Sequence, residues 1–239
     1  MIKILTIFIL LASSLYAQPS LIPQKANIVA IDKNQVIVNS PADVAIGSSG
    51  IVLRSFDSIH KTIIASTKVV KKEGNKLYLS LQRYDGLKQE ILPTYDIGVK
   101  VGDEVVLNYQ YNRALAITPD AATYKTLTTG YSTFDWVHPD IFAASLASSF
   151  APNPSRKTFR DECNQDSIGL LLFAIKDKAY FVDCRSFTVI STTPIQPSAT
   201  AKSPFYTRID GIKGRLFGLF GGKEIKNYDS YYTKLLNGK

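Results

Sequence analysis

An α+β protein is expected from this 239-residue sequence, with an all-β barrel- or sandwich-like module first and a small α+β module with one disulfide after it. Three observations predict it. From residue 25 to 118, short apolar runs recur every ~8–12 residues between turn signals, the pattern of a compact antiparallel barrel or sandwich. After Pro119 the spacing becomes that of helices with recognisable starts and stops. The only two cysteines, Cys163 and Cys184, both fall in that second part.

The elements follow in order. Lys3, the apolar run Ile4–Leu11 and a small-residue stretch ending at Ala17 form the pattern of a secretory signal peptide over residues 1–17. The run is too short to cross a bilayer, and no cysteine follows Ala17 to carry a lipid. The longest later apolar stretch, Ile168–Ile175, is far short of the ~20 residues of a membrane helix. Export to the periplasm or cell surface is therefore expected, with no integral membrane segment after signal removal. In an oxidising compartment an even cysteine count favours a disulfide, worth roughly 3 kcal/mol for a loop of about 20 residues.

The β-rich module, residues 25–118, contains candidate strands at Ile28–Ile31, Val36–Val38, Gly50–Phe56, Thr62–Val70, Lys76–Gln82, Val101–Tyr109 and Ala114–Ile117. Asp32-Lys33-Asn34, Glu73-Gly74-Asn75 and Val101-Gly102-Asp103 supply turn chemistry between them. Alternation in Lys76–Leu81 places Leu77, Leu79 and Leu81 on one face. In the α+β module, residues 119–201, Pro119-Asp120 opens a helix that Gly130 stops, and His138-Pro139-Asp140 opens a second. Asn153–Lys157 reads as a loop. Ile168–Ile175 and Ala179–Cys184 read as a hairpin around Asp177, with Phe187–Ser191 as a third strand. That register sets Cys184 opposite about Leu170, so a bridge to Cys163 has to bring the intervening 164–167 loop back over the sheet. Thr192–Ser203, with Pro194 and Pro197 inside it and Pro204 just after, reads as a linker. In the C-terminal segment, residues 202–239, Tyr228, Tyr231, Tyr232, Leu235 and Leu236 form an apolar helical stripe that Asn237-Gly238 ends.

Charge and motifs narrow the function. The net charge is +8, from 28 Lys+Arg against 20 Asp+Glu, and residues 202–239 hold 8 basic against 3 acidic side chains. A helix-turn-helix, finger or RNA-binding pattern is absent and the protein is expected to be exported, so nucleic acid is not an expected partner. His60 and His138 lie far apart without metal-ligand spacing, so no metal or cofactor is expected. Gly218–Lys223 resembles a phosphate loop faintly, but Glu224 stands where the metal-binding hydroxyl belongs. Asp161-Glu162 beside Cys163 reads as solvated surface. No enzyme is expected.

Four stretches carry a family resemblance: Tyr84–Thr94; Cys163–Gly169 with Cys184–Phe187; Ser203–Ile212; and Lys226–Tyr232. They resemble the N-terminal domain of the bacterial plasminogen-binding, PgbA-like family of the epsilon group, across nearly all of the mature chain. The resemblance implies a non-enzymatic surface or periplasmic binding protein. It also implies a plasminogen kringle as partner, since kringles hold a lysine between acidic residues and aromatic walls and prefer a C-terminal one. Lys239 and Lys234 are the candidate plasminogen contacts. The family's plasminogen-binding members continue into a long Lys/Glu-rich extension, and this sequence ends at Lys239. Two charge-assisted contacts of roughly 1.5–3 kcal/mol each predict weak capture, about millimolar to tens of micromolar. The alternative expectation is a structural or assembly component of an envelope machine such as the flagellar motor, docking an acidic envelope protein through the basic C-terminal segment.

Overall fold

A computed structural model describes residues 21–40, 43–84, 97–209, 212 and 225–238. The signal peptide assigned to residues 1–17, most of the 84–94 stretch, the 218–223 loop and Lys239 lie outside the described residues.

The first half is a closed antiparallel barrel. Its strands are β1 (Gln24–Asp32), β2 (Gln35–Asn39), β3 (Ser49–Ser55), β4 (Lys61–Glu73), β5 (Lys76–Gln82) and β6 (Glu104–Leu107), in the order β1-β2-β5-β4-β3-β6. Period-2 alternation decides which side chains fill it: Ile28, Val36, Val38, Val52, Val69, Leu77, Leu79 and Leu107 point inward, with Leu81 packed beside them. The tight turns fall where turn chemistry predicts, with Lys33, Gly74 and Gly102 all at positive φ. Closure leaves the barrel no free edge strand. Arg54 and Asp103 brace its rim through a two-pronged contact of 2.6 and 2.9 Å. Burial pushes the Asp103 carboxyl upward, but Arg54 and the Lys100 amide outweigh it and hold the pKa below the usual value.

A five-stranded mixed sheet forms the second half, in the order β11-β10-β9-β7-β8. Its strands are β7 (Arg113–Ile117), β8 (Asp135–Val137), β9 (Leu170–Ile175), β10 (Lys178–Asp183) and β11 (Val189–Pro194). Ala114–Ile117, grouped by its spacing with the N-terminal strands, belongs here: it pairs in parallel with both β8 and β9. Short strand spacing identified the strand but carried no information about which sheet received it. β9 is buried at every position because both sheet faces are covered, which makes its sequence, LLLFAI, apolar without alternation. One face carries α1 (Ala121–Gly130) over Ala114, Leu170, Leu172 and Phe181. The other carries α2 (Pro139–Ser148), α3 (Arg156–Asp166) and α4 (Tyr228–Asn237) over Leu115, Ile117, Leu171 and Phe173.

Three local expectations are corrected. Residues 153–157 are not a loop throughout, because Ser155 caps α3 in a reciprocal pair with Thr158. Only Phe159, Glu162 and Cys163 of this polar helix face inward, too thin a stripe to stand out. Glu162 is accordingly buried, not solvated, and burial raises its pKa. The 192–203 segment is not a free linker: Pro194 still pairs with Lys178, and Lys202 and Tyr206 donate their amides to Pro119 and Thr118.

The loop after Ser203 is fastened to the start of α2 by Asp140. This carboxylate accepts from the Thr207 hydroxyl (2.7 Å), the Arg208 amide (2.8 Å) and the Arg208 guanidinium (2.6 Å). Burial pulls its pKa up, and these donors outweigh burial, leaving it at about 2 against an ordinary 3.8. A depressed carboxyl stabilises the fold above its unfolded pKa and loses that contribution as pH falls through the folded value. Stability should therefore fall between about pH 4 and pH 2, and Asp140→Asn should flatten that dependence while the depressed Asp103 and Asp120 keep part of it. Urea midpoints measured at pH 5, 3.5 and 2.5 for both proteins check it.

Candidate functional site

The barrel and the mixed sheet meet around one carboxyl group. Asp183, at the end of β10 and fully buried, accepts from Ser49 N (2.9 Å), Ser49 Oγ (2.6 Å) and Tyr111 OH (2.8 Å) through Oδ2, and from Ser186 N (2.6 Å) through Oδ1. Ser49 begins β3 in the barrel, so this group ties the two sheets together. Burial, followed by the neighbouring Asp183, pushes the Tyr111 phenol well above its ordinary pKa and keeps it a donor at neutral pH. Around this centre, Ser186 Oγ donates to Gly47 O (2.7 Å) and Arg185 Nη1 to Ser66 Oγ (3.2 Å). Two glycines permit the approach. A Cβ on Gly169 would lie 2.4 Å from the Gln110 carbonyl carbon, and one on Gly47, at φ +97°, would lie 2.4 Å from Thr188 Cγ2.

A cleft of about 340 Å³ opens beside this junction. Its wall draws Lys68 from β4, Arg83 from beyond β5, Arg160 from α3 and Arg185 from the turn after β10, with Gln82, Gln110 and Asn164 between them. Among the described residues no acidic side chain lines it. Arg160 is held in place by Arg185 O (3.1 Å) and by the Phe187 ring, 5.8 Å from the guanidinium carbon. Arg185 lies over the Tyr84 ring at 5.4 Å. The four cations come from segments separated by many residues, and nothing in their local spacing announces the cluster.

The structure joins Cys163 and Cys184 in a disulfide, with Cα atoms 6.4 Å apart, and both residues line the cleft. Cys184 N donates to Gly169 O, one position beyond the Asp183–Leu170 register pair. The return expected of residues 164–167 is made by the last turn of α3, and Ser167 ends it in a left-handed conformation.

Of the two lysine candidates, Lys239 is outside the described residues and Lys234 lies away from the cleft. Lys234 is exposed in the last turn of α4, among off-stripe residues. The other face of α4 is anchored by Tyr228 OH to Ile117 O (2.8 Å), Tyr232 OH to Pro204 O (2.8 Å) and Tyr231 OH to Pro154 O (3.1 Å). Arg156 closes its C-terminal end on Leu235 O (2.7 Å) and Leu236 O (2.6 Å). Among its described residues, the basic C-terminal segment is only partly available as a docking surface. Arg208 is paired with Asp140, and Lys202 donates to Thr207 O (2.6 Å).

Comparison with known proteins places these features in a sequence family. The model of the family described as plasminogen-binding protein pgbA N-terminal matches residues 23–236. The chain is 26% identical over 218 residues to the plasminogen-binding protein PgbA of Helicobacter pylori strain J99 / ATCC 700824, covering 90% of this chain and 48% of that protein. It is 25% identical over 218 residues to the protein of the same name from strain ATCC 700392 / 26695, covering 90% and 47%. It thus spans about half the length of these curated relatives.

Proposed function

Because the chain belongs to the PgbA N-terminal family, we propose that it is an exported binding protein that captures plasminogen weakly through two lysines, Lys234, exposed on α4, and Lys239. The observation that carries this proposal is the mounting of Lys234. Its helix is locked to the core by three tyrosine hydroxyls and by Arg156, so an exposed ammonium stands on a rigid base. Rigid presentation lowers the ordering cost of a kringle contact. Export is supported by the signal-like first 17 residues and by the Cys163–Cys184 bridge, which suits an oxidising compartment.

Surface plasmon resonance of the mature chain on immobilised plasminogen tests the proposal. A lysine analogue should abolish binding, while Lys234→Ala and carboxypeptidase B treatment should each weaken it severalfold. Binding indifferent to all three would sink the lysine mechanism. Protease shaving of intact cells tests the address. A protein protected from shaving cannot meet plasminogen, and a partner inside the envelope then takes its place.

A further inference from the structure

We propose that the cleft between the barrel and the mixed sheet is a recognition site for an acidic peptide segment of a protein partner, independent of the lysines on α4. The charge distribution is the first reason. Several cations elsewhere on the surface are matched: Lys25 and Lys61 with Glu104, Lys72 with Asp43, Arg113 with Asp135, Lys157 with Asp161, and Arg208 with Asp140. Those left single among the described residues, such as Lys125 and Lys234, stand on separate helices. Among the described residues, Lys68, Arg83 and Arg160 make no ion pair, although they share one cleft wall. Three cations held together with no counter-charge among the described residues raise the local potential and repel one another, an arrangement that an incoming anion relieves.

The chemistry of the wall selects the kind of anion. The contacts of Arg160 are to backbone carbonyls and a ring face, neutral groups that orient the guanidinium without cancelling its charge. A guanidinium carries five N–H donors in a planar fork that matches carboxylate geometry. The last turn of α3, bearing Cys163 and Asn164, faces the cleft, so the negative end of a helix dipole lies there and the side-chain cations alone must attract the anion. Gln82, Gln110 and Asn164 each offer a donor and an acceptor, the pairing a peptide backbone needs. Thr67, also in the wall and only 2% exposed, keeps its hydroxyl without a hydrogen-bond partner among the described residues. A volume of about 340 Å³ lies at the small end of ligand sites, suited to a short stretch of side chains.

Fluorescence anisotropy with a labelled ten-residue glutamate peptide and the whole mature chain tests the site. Lys68→Glu and Arg160→Glu should each weaken binding at least tenfold. Lys125→Glu, the same charge change on exposed α1, should weaken it less than twofold. Lys68→Gln and Arg83→Gln, which disturb no ion pair among the described residues, should each give a threefold or greater loss with thermal unfolding unchanged. Three outcomes would overturn the proposal: no peptide binding, equal loss in Lys125→Glu, or displacement of the peptide by inorganic phosphate at equal charge. Binding of dextran sulfate without the peptide would equally overturn it, by assigning the cleft to polysaccharide. Lys234→Ala should leave peptide binding intact, so failure here and failure of plasminogen capture are separable.

Discussion

Asp183→Ala should destabilise the protein by about 3–5 kcal/mol, a large part of the stability of an ordinary domain. The side chain is fully buried and satisfies donors from Ser49, Tyr111 and Ser186 at once. Each buried donor left without an acceptor costs about 1–3 kcal/mol, and partial relaxation keeps the total below the full sum. The loss should also be uneven. Ser49 belongs to the barrel and Asp183 to the mixed sheet, so the substitution loosens the coupling between them. Trp136, the single tryptophan, lies on β8 and reports the mixed sheet, whereas far-UV circular dichroism reports both. In urea the two probes should follow one transition in the wild type and separate in Asp183→Ala. Asp183→Asn, which keeps one acceptor oxygen, should lose roughly half as much. Coincident transitions with a loss under about 1 kcal/mol would remove Asp183 from this role.

Tyr232→Ala should cost a similar amount, about 3–5 kcal/mol, by emptying an aromatic-sized space in the core. The ring is fully buried against Phe173, Phe159 and Tyr228, and its hydroxyl holds Pro204 O. Tyr232→Phe removes only the hydroxyl and should cost about 1 kcal/mol. The pair has a functional reading as well. If α4 presents Lys234 rigidly, Tyr232→Ala should weaken plasminogen capture beyond its effect on the folded fraction, while Tyr232→Phe should spare it. Equilibrium denaturation and resonance measurements on the same preparations distinguish the two.

What was legible in the sequence was whatever local periodicity encodes. Leu77 and Leu79 revealed the inward face of the barrel, and the tyrosine stripe revealed α4, because each pattern spans a single element. Asp120, Pro139 and Gly130 marked helix boundaries through their own backbone chemistry. The two cysteines had only each other to pair with. What stayed hidden was set by distant partners. β7 has the strand spacing of the barrel, but its partners β8 and β9 lie some 20 and 55 residues further on. α3 buries one narrow stripe, though Ser155 and Thr158 carried a capping signal that could have revealed it. The cationic cleft is invisible by nature, since Lys68, Arg83, Arg160 and Arg185 become neighbours only when the barrel docks on the sheet.

The disulfide has a mechanical consequence. Arg156 grips the end of α4, and α3 carries that grip along its length to Cys163. The covalent bridge passes it to Cys184, whose neighbour Asp183 holds Ser49 in the barrel. Tension applied at the C-terminal helix therefore has a continuous load path into the N-terminal barrel that side-chain links at Arg156, Cys163–Cys184 and Asp183–Ser49 make shorter than the main chain between them. Its middle link is covalent and its two ends are charge-assisted or buried hydrogen bonds. A protein that holds a partner at its C-terminal end would transmit the pull to its far side without peeling the helix away first, for as long as Cys163 and Cys184 stay oxidised.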